Sequence, residues 1–125
     1  MPLGPGLHAS AKLVVTEGDT AIALRSGEVP VLGTPRLIAL CEEATVAAVS
    51  DQLPDGQTTV GMRVQVDHLA PTSIGSSVAA EATLEKVEGR RLTFTVSVTD
   101  QGGLIAAGKV TRVIVETERF LDKAR

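Results

Sequence analysis

At 125 residues the chain has the length of one domain with one core, and with aromatics at only 2% that core must come from Val, Leu, Ile and Ala. Two phenylalanines, Phe94 and Phe120, and a net charge of −3 exclude base stacking and the basic face that nucleic-acid binding requires. One cysteine, Cys41, excludes an intramolecular disulfide and a multi-cysteine metal site.

Residues 1–10, MPLGPGLHAS, read as a loose lead-in rich in Pro and Gly, with His8 solvated. No basic-then-apolar signal pattern stands there, and no apolar run approaches the ~18–20 residues of a membrane span, so a cytoplasmic protein is expected. Residues 12–17 have a β-branched centre and predict a first strand; Gly18 and Asp19 form a turn before a short apolar piece at 20–24. The polar segment 25–30, RSGEVP, leads into the next element and is placed to cover its start.

That element is the one long helix, within residues 32–53. On a wheel Leu37, Leu40, Cys41, Ala44, Ala47 and Ala48 share an apolar arc, extended on one side by Ile38, Thr45 and Val49. Thr34 reads as the N-cap and Pro35 as the first helical residue. The arc is rich in small side chains, which suits a helix wrapped tightly by a sheet. Cys41 lies on it and reads as a small core residue.

Pro54-Asp55-Gly56 is a turn. From Thr58 the period becomes two: Val60, Met62, Val64, Val66 and His68 point one way, Gly61, Arg63, Gln65, Asp67 and Leu69 the other. Pro71 ends that strand. Three more strands are predicted at 76–87, 92–99 and 104–115, with hairpin turns at 88–90 and 100–103. Residues 117–125 form a short helix or a tail. The sum is a single α+β domain spanning 1–125, with a meander of four antiparallel strands curled around one central helix.

No HxxxH, CxxC or clustered carboxylate pattern supports a metal, and no glycine-rich phosphate loop is present. The remaining candidates are Thr34, the Glu42–Glu43 pair, His68 and Gly61. Glutamates on an amphipathic helix are usually solvated, but Glu42 neighbours Ile38, Thr45 and Val49 and borders the apolar arc, whereas Glu43 lies on the opposite flank near Arg36. Glu42 is the carboxylate placed for general-base or nucleophilic work. His68 has the plain reading of a hydrogen-bonded strand-end residue. It also closes the buried row of a strand facing the helix that carries Glu42.

Thr34 and Glu42 stand about 12 Å apart along a helix and about 80° apart around it. Helical side chains lean toward the N-terminus, which leaves a gap the size of a reacting carbonyl between them. First-turn N–H groups would face a developing oxyanion, so the pattern points to acyl transfer.

The segments TPRLIALCEEA (34–44) and VGMRVQVDHLAPTSIGSSV (60–78), followed by EGRRLTFTVSVTD and GKVTRVIV, resemble the hotdog-fold thioesterases of the fluoroacetyl-CoA thioesterase-like group. The resemblance runs from about residue 29 to 115. It implies a hotdog fold, a homodimer with active sites at the interface, an acyl-CoA substrate, and no cofactor beyond the coenzyme A of that substrate. It places a Thr–Glu–His catalytic set on Thr34, Glu42 and His68. It also places the glycine whose backbone contacts the acyl group on Gly61, and a substrate-contacting arginine on Arg112, otherwise readable as a solvated strand residue.

Two departures stand out. Members specialised for fluoroacetate carry phenylalanines before the helix, where this chain has RSGEV, so a different acyl specificity is implied. Relatives often have His-Glu-Arg in the last strand, where this chain has Val110, Thr111 and Arg112. The expected function is hydrolysis of an acyl-CoA, with a non-catalytic acyl-CoA binder and a hotdog enoyl-CoA hydratase as alternatives.

Overall fold

The computed structural model describes residues 3–124; Met1 and Pro2 of the expected lead-in, and Arg125 of the tail, lie outside them. Five strands form one antiparallel sheet: β1 (His8–Val14), β2 (Gln57–His68), β3 (Ser77–Glu88), β4 (Arg91–Asp100) and β5 (Gly103–Glu116), in the spatial order β1-β3-β4-β5-β2. The long helix α1 (Thr34–Val49) packs on one face of this sheet, and a short helix α2 (Thr117–Asp122) follows β5. No helix among the described residues is long and apolar enough to cross a membrane.

β3 and β4 bury the residues their alternation predicts, Val78, Ala80, Ala82 and Leu84 on one and Leu92, Phe94, Val96 and Val98 on the other, with a register shift between Leu84 and Lys86 near the end of β3. Phe94 is the largest fully buried side chain of the core. Leu37, Leu40, Cys41, Ala44 and Ala48 complete that core from the helix side. The helix lies closest to β1 and β3. Small side chains at its contact face permit that approach, and its other flank is left over β5 and β2.

Four expectations are corrected. The meander comprises only β3, β4 and β5; β2 instead pairs with β5 at the far edge, because the segment after Pro71 carries the chain across to the opposite side before β3 begins. The first strand is His8–Val14, because pairing with β3 along its whole length recruits the residues read as lead-in. His8 opens that strand, exposed, its Nδ1 3.1 Å from the Gly6 carbonyl oxygen. Ala47 is exposed, outside the buried arc. In β2 the register shifts between Gly61 and Arg63, and the extra residue, Met62, is 46% exposed. That bulge breaks the single alternating row: Thr59 and Gly61, rather than Val60 and Met62, share the helix-facing side with Val64, Val66 and His68.

The helix start is fixed by the segment before it. Gly33, extended at φ −78°, ψ 142°, is the N-cap, and a Cβ there would stand 3.1 Å from the Ala21 backbone. Thr34 is therefore the first helical residue and its hydroxyl caps nothing. Asp19, at the end of a 3-10 turn (Glu17–Asp19), ties this segment to α1. Its carbonyl accepts the Gly33 N–H at 2.8 Å, and its carboxylate accepts from the Thr16 N–H and hydroxyl, both at 2.8 Å, and lies 3.3 Å from Arg36 Nε.

The Thr16 backbone N–H, with help from its hydroxyl and from Arg36, holds the Asp19 carboxyl below its ordinary 3.8, against the opposing effect of burial. With the folded value depressed, the stability this contributes is complete above the unfolded carboxylate range and is lost as pH falls through the folded value. Asp19→Asn is expected to lower Tm at neutral pH, with the gap to wild type closing as pH drops below about 4. A gap of constant size down to about pH 2.5 in thermal melts would refute the linkage.

Candidate active site

β2 runs antiparallel to α1, so its end at His68 meets the helix start while Gly61 meets the middle. The Thr34 hydroxyl, free of any capping role, lies 2.8 Å from His68 Nδ1. His68 Nε2 is buried and has no partner among the described residues. This pair sits in an open pocket of about 310 Å³ whose other walls include Val29, Val31, Leu32 and Leu69. Ser26 and Gly27 also line it, so segment 25–30 does lie beside the helix start, and it brings no aromatic side chain.

Two turns further along α1, Glu42 points over β2 and β5. The Glu42 side chain is 36% exposed and that of Glu43 55%, with Glu43 3.7 Å from Arg36 on the opposite flank. Glu42 Oε2 accepts from Arg112 Nη1 at 3.1 Å. Arg112 is only 6% exposed, and its two other nitrogens are held by one residue: Nε donates to Thr59 Oγ1 at 2.8 Å and Nη2 to the Thr59 carbonyl at 2.9 Å. Burial pulls the Arg112 pKa down, and the Glu42 carboxylate opposes that shift. The guanidinium stays charged at any ordinary pH.

Gly61, paired with Arg112 across the sheet, lies directly beneath the carboxylate. A Cβ at this position would stand 2.5 Å from Glu42 Oε2. Glycine is needed here for close approach; no unusual dihedral demands it. Glu42 and Arg112 line a second open pocket of about 470 Å³ with Ala39, Val46 and Ala47.

The structure thus brings together Thr34 with His68, and Glu42 with Gly61 and Arg112. No hydrogen bond joins the two groups among the described residues; they occupy successive levels of α1, about 12 Å apart in rise. Arg112 is neither solvated nor free: it is an ion-pair partner of Glu42. Thr59 was not singled out from the sequence. Its signal, a polar residue on the Gly61 face of the strand, was hidden by the bulge. Cys41 is fully buried, and burial above all, with the charge of Glu42, pushes its thiol up to about 11. Among the described residues no group of three or more His, Cys, Asp or Glu side chains is placed to hold a metal ion.

The model of the fluoroacetyl-CoA-specific thioesterase family matches residues 15–118. The chain is 36% identical over 95 residues to the fluoroacetyl-CoA thioesterase of Streptantibioticus cattleyicolor, covering 76% of this chain and 68% of that protein. A crystal structure of the fluoroacetyl-CoA thioesterase FlK superposes with a TM-score of 0.94 at 30% identity, over 100% of this chain and 97% of the other. A variant of that enzyme solved with fluoroacetate and CoA gives 0.88 at 30% identity, over 94% and 99%. A thioesterase superfamily member from Thermus thermophilus gives 0.89 at 28% identity, over 97% and 90%. The sheet curled on a long helix is accordingly the hotdog fold, and the chain belongs to the fluoroacetyl-CoA-specific thioesterase family of thioester hydrolases.

Proposed function

We propose that the protein hydrolyses an acyl-CoA to the carboxylic acid and free CoA, with Glu42 as the reacting carboxylate. The observation that carries this assignment is the Glu42–Arg112 pair over Gly61. A half-exposed carboxylate has one oxygen fixed by a buried guanidinium, while Oε1 makes no hydrogen bond among the described residues. Oε1 is the atom that attacks the thioester carbonyl, or takes a proton from an attacking water. The C–S bond breaks as the tetrahedral intermediate collapses and the thiolate takes up a proton; where Oε1 itself has attacked, the acyl group is left on Glu42 as an anhydride that water then hydrolyses, restoring the carboxylate.

Thr34 and His68 serve the other side of the reacting carbonyl. A neutral imidazole carries one ring proton, and an N–H left bare in a buried position is the costlier orphan. The proton is therefore assigned to Nδ1, which donates to Thr34 Oγ1. The threonine hydrogen is then free to donate to the acyl oxygen alongside the first-turn amides of α1. His68 acts toward the thiolate through Nε2, whose lone pair takes up a proton from water and passes it to the departing sulfur. No group beyond the coenzyme A of the substrate is called for.

Acyl specificity follows from the pocket beside Thr34. Where fluoroacetate-specialised members close it with phenylalanines, Ser26, Gly27 and Val29 leave it open. The preferred substrate is an acyl-CoA other than fluoroacetyl-CoA.

The site is completed by a second copy of the chain. β2 is a free edge of 12 residues, and the Glu42 pocket lies over that strand, so a partner paired along β2 covers both the unpaired backbone and the carboxylate.

Thiol release measured over a panel of acyl-CoAs tests the reaction: an enoyl-CoA hydratase converts its substrate without freeing thiol, and a binding protein gains only thermal stability. Cys41, buried and with a raised pKa, does not report in such an assay. Glu42→Gln is expected to cut turnover at least ~10²-fold with the fold intact; near-wild-type turnover sinks the assignment. Gly61→Ala should displace the carboxylate from Arg112, cost on the order of 10²-fold in turnover and lower Tm through the lost ion pair, with the protein still folded. Light scattering at micromolar concentration should return twice the chain mass, and a monomer would contradict the shared site.

A further inference from the structure

Arginine and carboxylate ordinarily pair fork to fork, two nitrogens on two oxygens. The Arg112–Glu42 pair does not. A single contact, Nη1 to Oε2, joins them, and the other two nitrogens of the guanidinium are turned away onto Thr59. Thr59 uses two different acceptors for this, its side-chain oxygen and its main-chain oxygen, so one residue fixes both the plane and the rotation of the guanidinium. It is itself 6% exposed, in an edge strand whose backbone also carries Gly61 two residues on. Gly61 lets Oε2 descend to the level of Nη1; Thr59 prevents the guanidinium from swinging its second nitrogen up to Oε1.

We propose that Thr59 is a positioning residue for the thioesterase reaction: by gripping Arg112 from the side it enforces one-point pairing with Glu42 and keeps Oε1 available to the substrate. The proposal rests on Glu42 being the reacting carboxylate. It differs from a purely structural role for Thr59, which would satisfy a buried arginine and affect stability alone. Without the Thr59 hydroxyl, Nε loses its acceptor and only the main-chain carbonyl still holds Nη2, so the guanidinium pivots about that one bond until the second Nη2 hydrogen reaches Oε1 in a two-point contact. Both Glu42 oxygens are then occupied. The ground state still binds substrate, but the attacking atom is blocked, so the loss falls on kcat.

Thr59→Val keeps the volume and removes the acceptor. With an acyl-CoA that the wild type hydrolyses, kcat should fall roughly 10- to 100-fold with KM within about twofold. Thr59→Ser, which keeps the hydroxyl, should restore kcat to within about threefold of wild type. Thr59→Ala reads the same loss if the valine variant does not fold. Arg112→Lys cannot be gripped or make the fork, so Thr59→Val added to Arg112→Lys should cost nothing further. Wild-type kcat in Thr59→Val or Thr59→Ala overturns the proposal. So does a loss confined to KM, or a full-sized Thr59→Val effect on the Arg112→Lys background. Absence of thiol release by the wild type from every acyl-CoA overturns instead the underlying reading of Glu42, and is told apart because Thr59 is then never the variable.

Discussion

A charge placed among apolar side chains must be paired and hydrogen-bonded, and Arg112 is that charge here. It stands in β5 on the same inward face as Val110, at 6% exposure, where a strand facing a hydrophobic core would ordinarily carry an aliphatic residue. Its needs dictate the local sequence around it. Thr59 supplies two acceptors, Glu42 the countercharge, and Gly61 the empty volume that lets the carboxylate come down to the sheet. Removing Glu42 from this set would leave a buried cation uncompensated, so the pair holds the helix flank to the sheet while it aims a carboxylate outward.

That flank is available because α1 is packed asymmetrically. Its small residues draw it onto β1 and β3, so the opposite side overhangs β5 and β2, where Arg112 rises to meet it. A helix with leucines at Ala44 and Ala48 would ride higher and more centrally, and the Arg112 fork would not reach Glu42. The same tight seating sets the helix start. Gly33 is pressed against Ala21, the N-cap role passes to it, and Thr34 is released to face His68. Close packing at one end of the protein thus frees a polar hydroxyl that a more ordinary cap would have consumed.

These dependencies explain what could be read from residues alone. β4, and β3 as far as Leu84, were legible because their alternation has a clean period of two and one buried face; the register shift after Leu84 comes near the end of β3 and leaves that row intact. Glu42 could be told from Glu43 because the wheel depends only on helical geometry. β2 misled because one inserted residue, Met62, moves Val60 and Thr59 to the opposite faces from those simple alternation gives them. Thr34 misled because its choice of partner is made by a glycine's contact with a loop distant from any local propensity. The position of β2 beyond β5 was invisible for a related reason: a short proline-containing connection reads as a hairpin-like link until the pairing partners are known. Arg112 gave no local sign of burial, since its surroundings come from three separate elements.

The two levels of the candidate site on α1 have opposite relations to the fold. At the helix start, Thr34 and His68 are held by elements that close on one another within the chain: the Asp19 turn, the segment before Gly33 and the end of β2. At the middle, Glu42 is held from beneath by Arg112 and Gly61, but its pocket opens over β2, an edge strand with no further strand beside it among the described residues. The proposed reaction of this carboxylate with a thioester would gain from exclusion of water, which strengthens every charge interaction around it. An open edge cannot supply that exclusion. The incomplete wall lies where a long strand also has unpaired backbone groups, so one partner contact would satisfy the backbone and dry the site together. Coupling assembly to the proposed chemistry in this way would leave an isolated protomer with Thr34 and His68 paired and Glu42 held by Arg112, but with that carboxylate still in water.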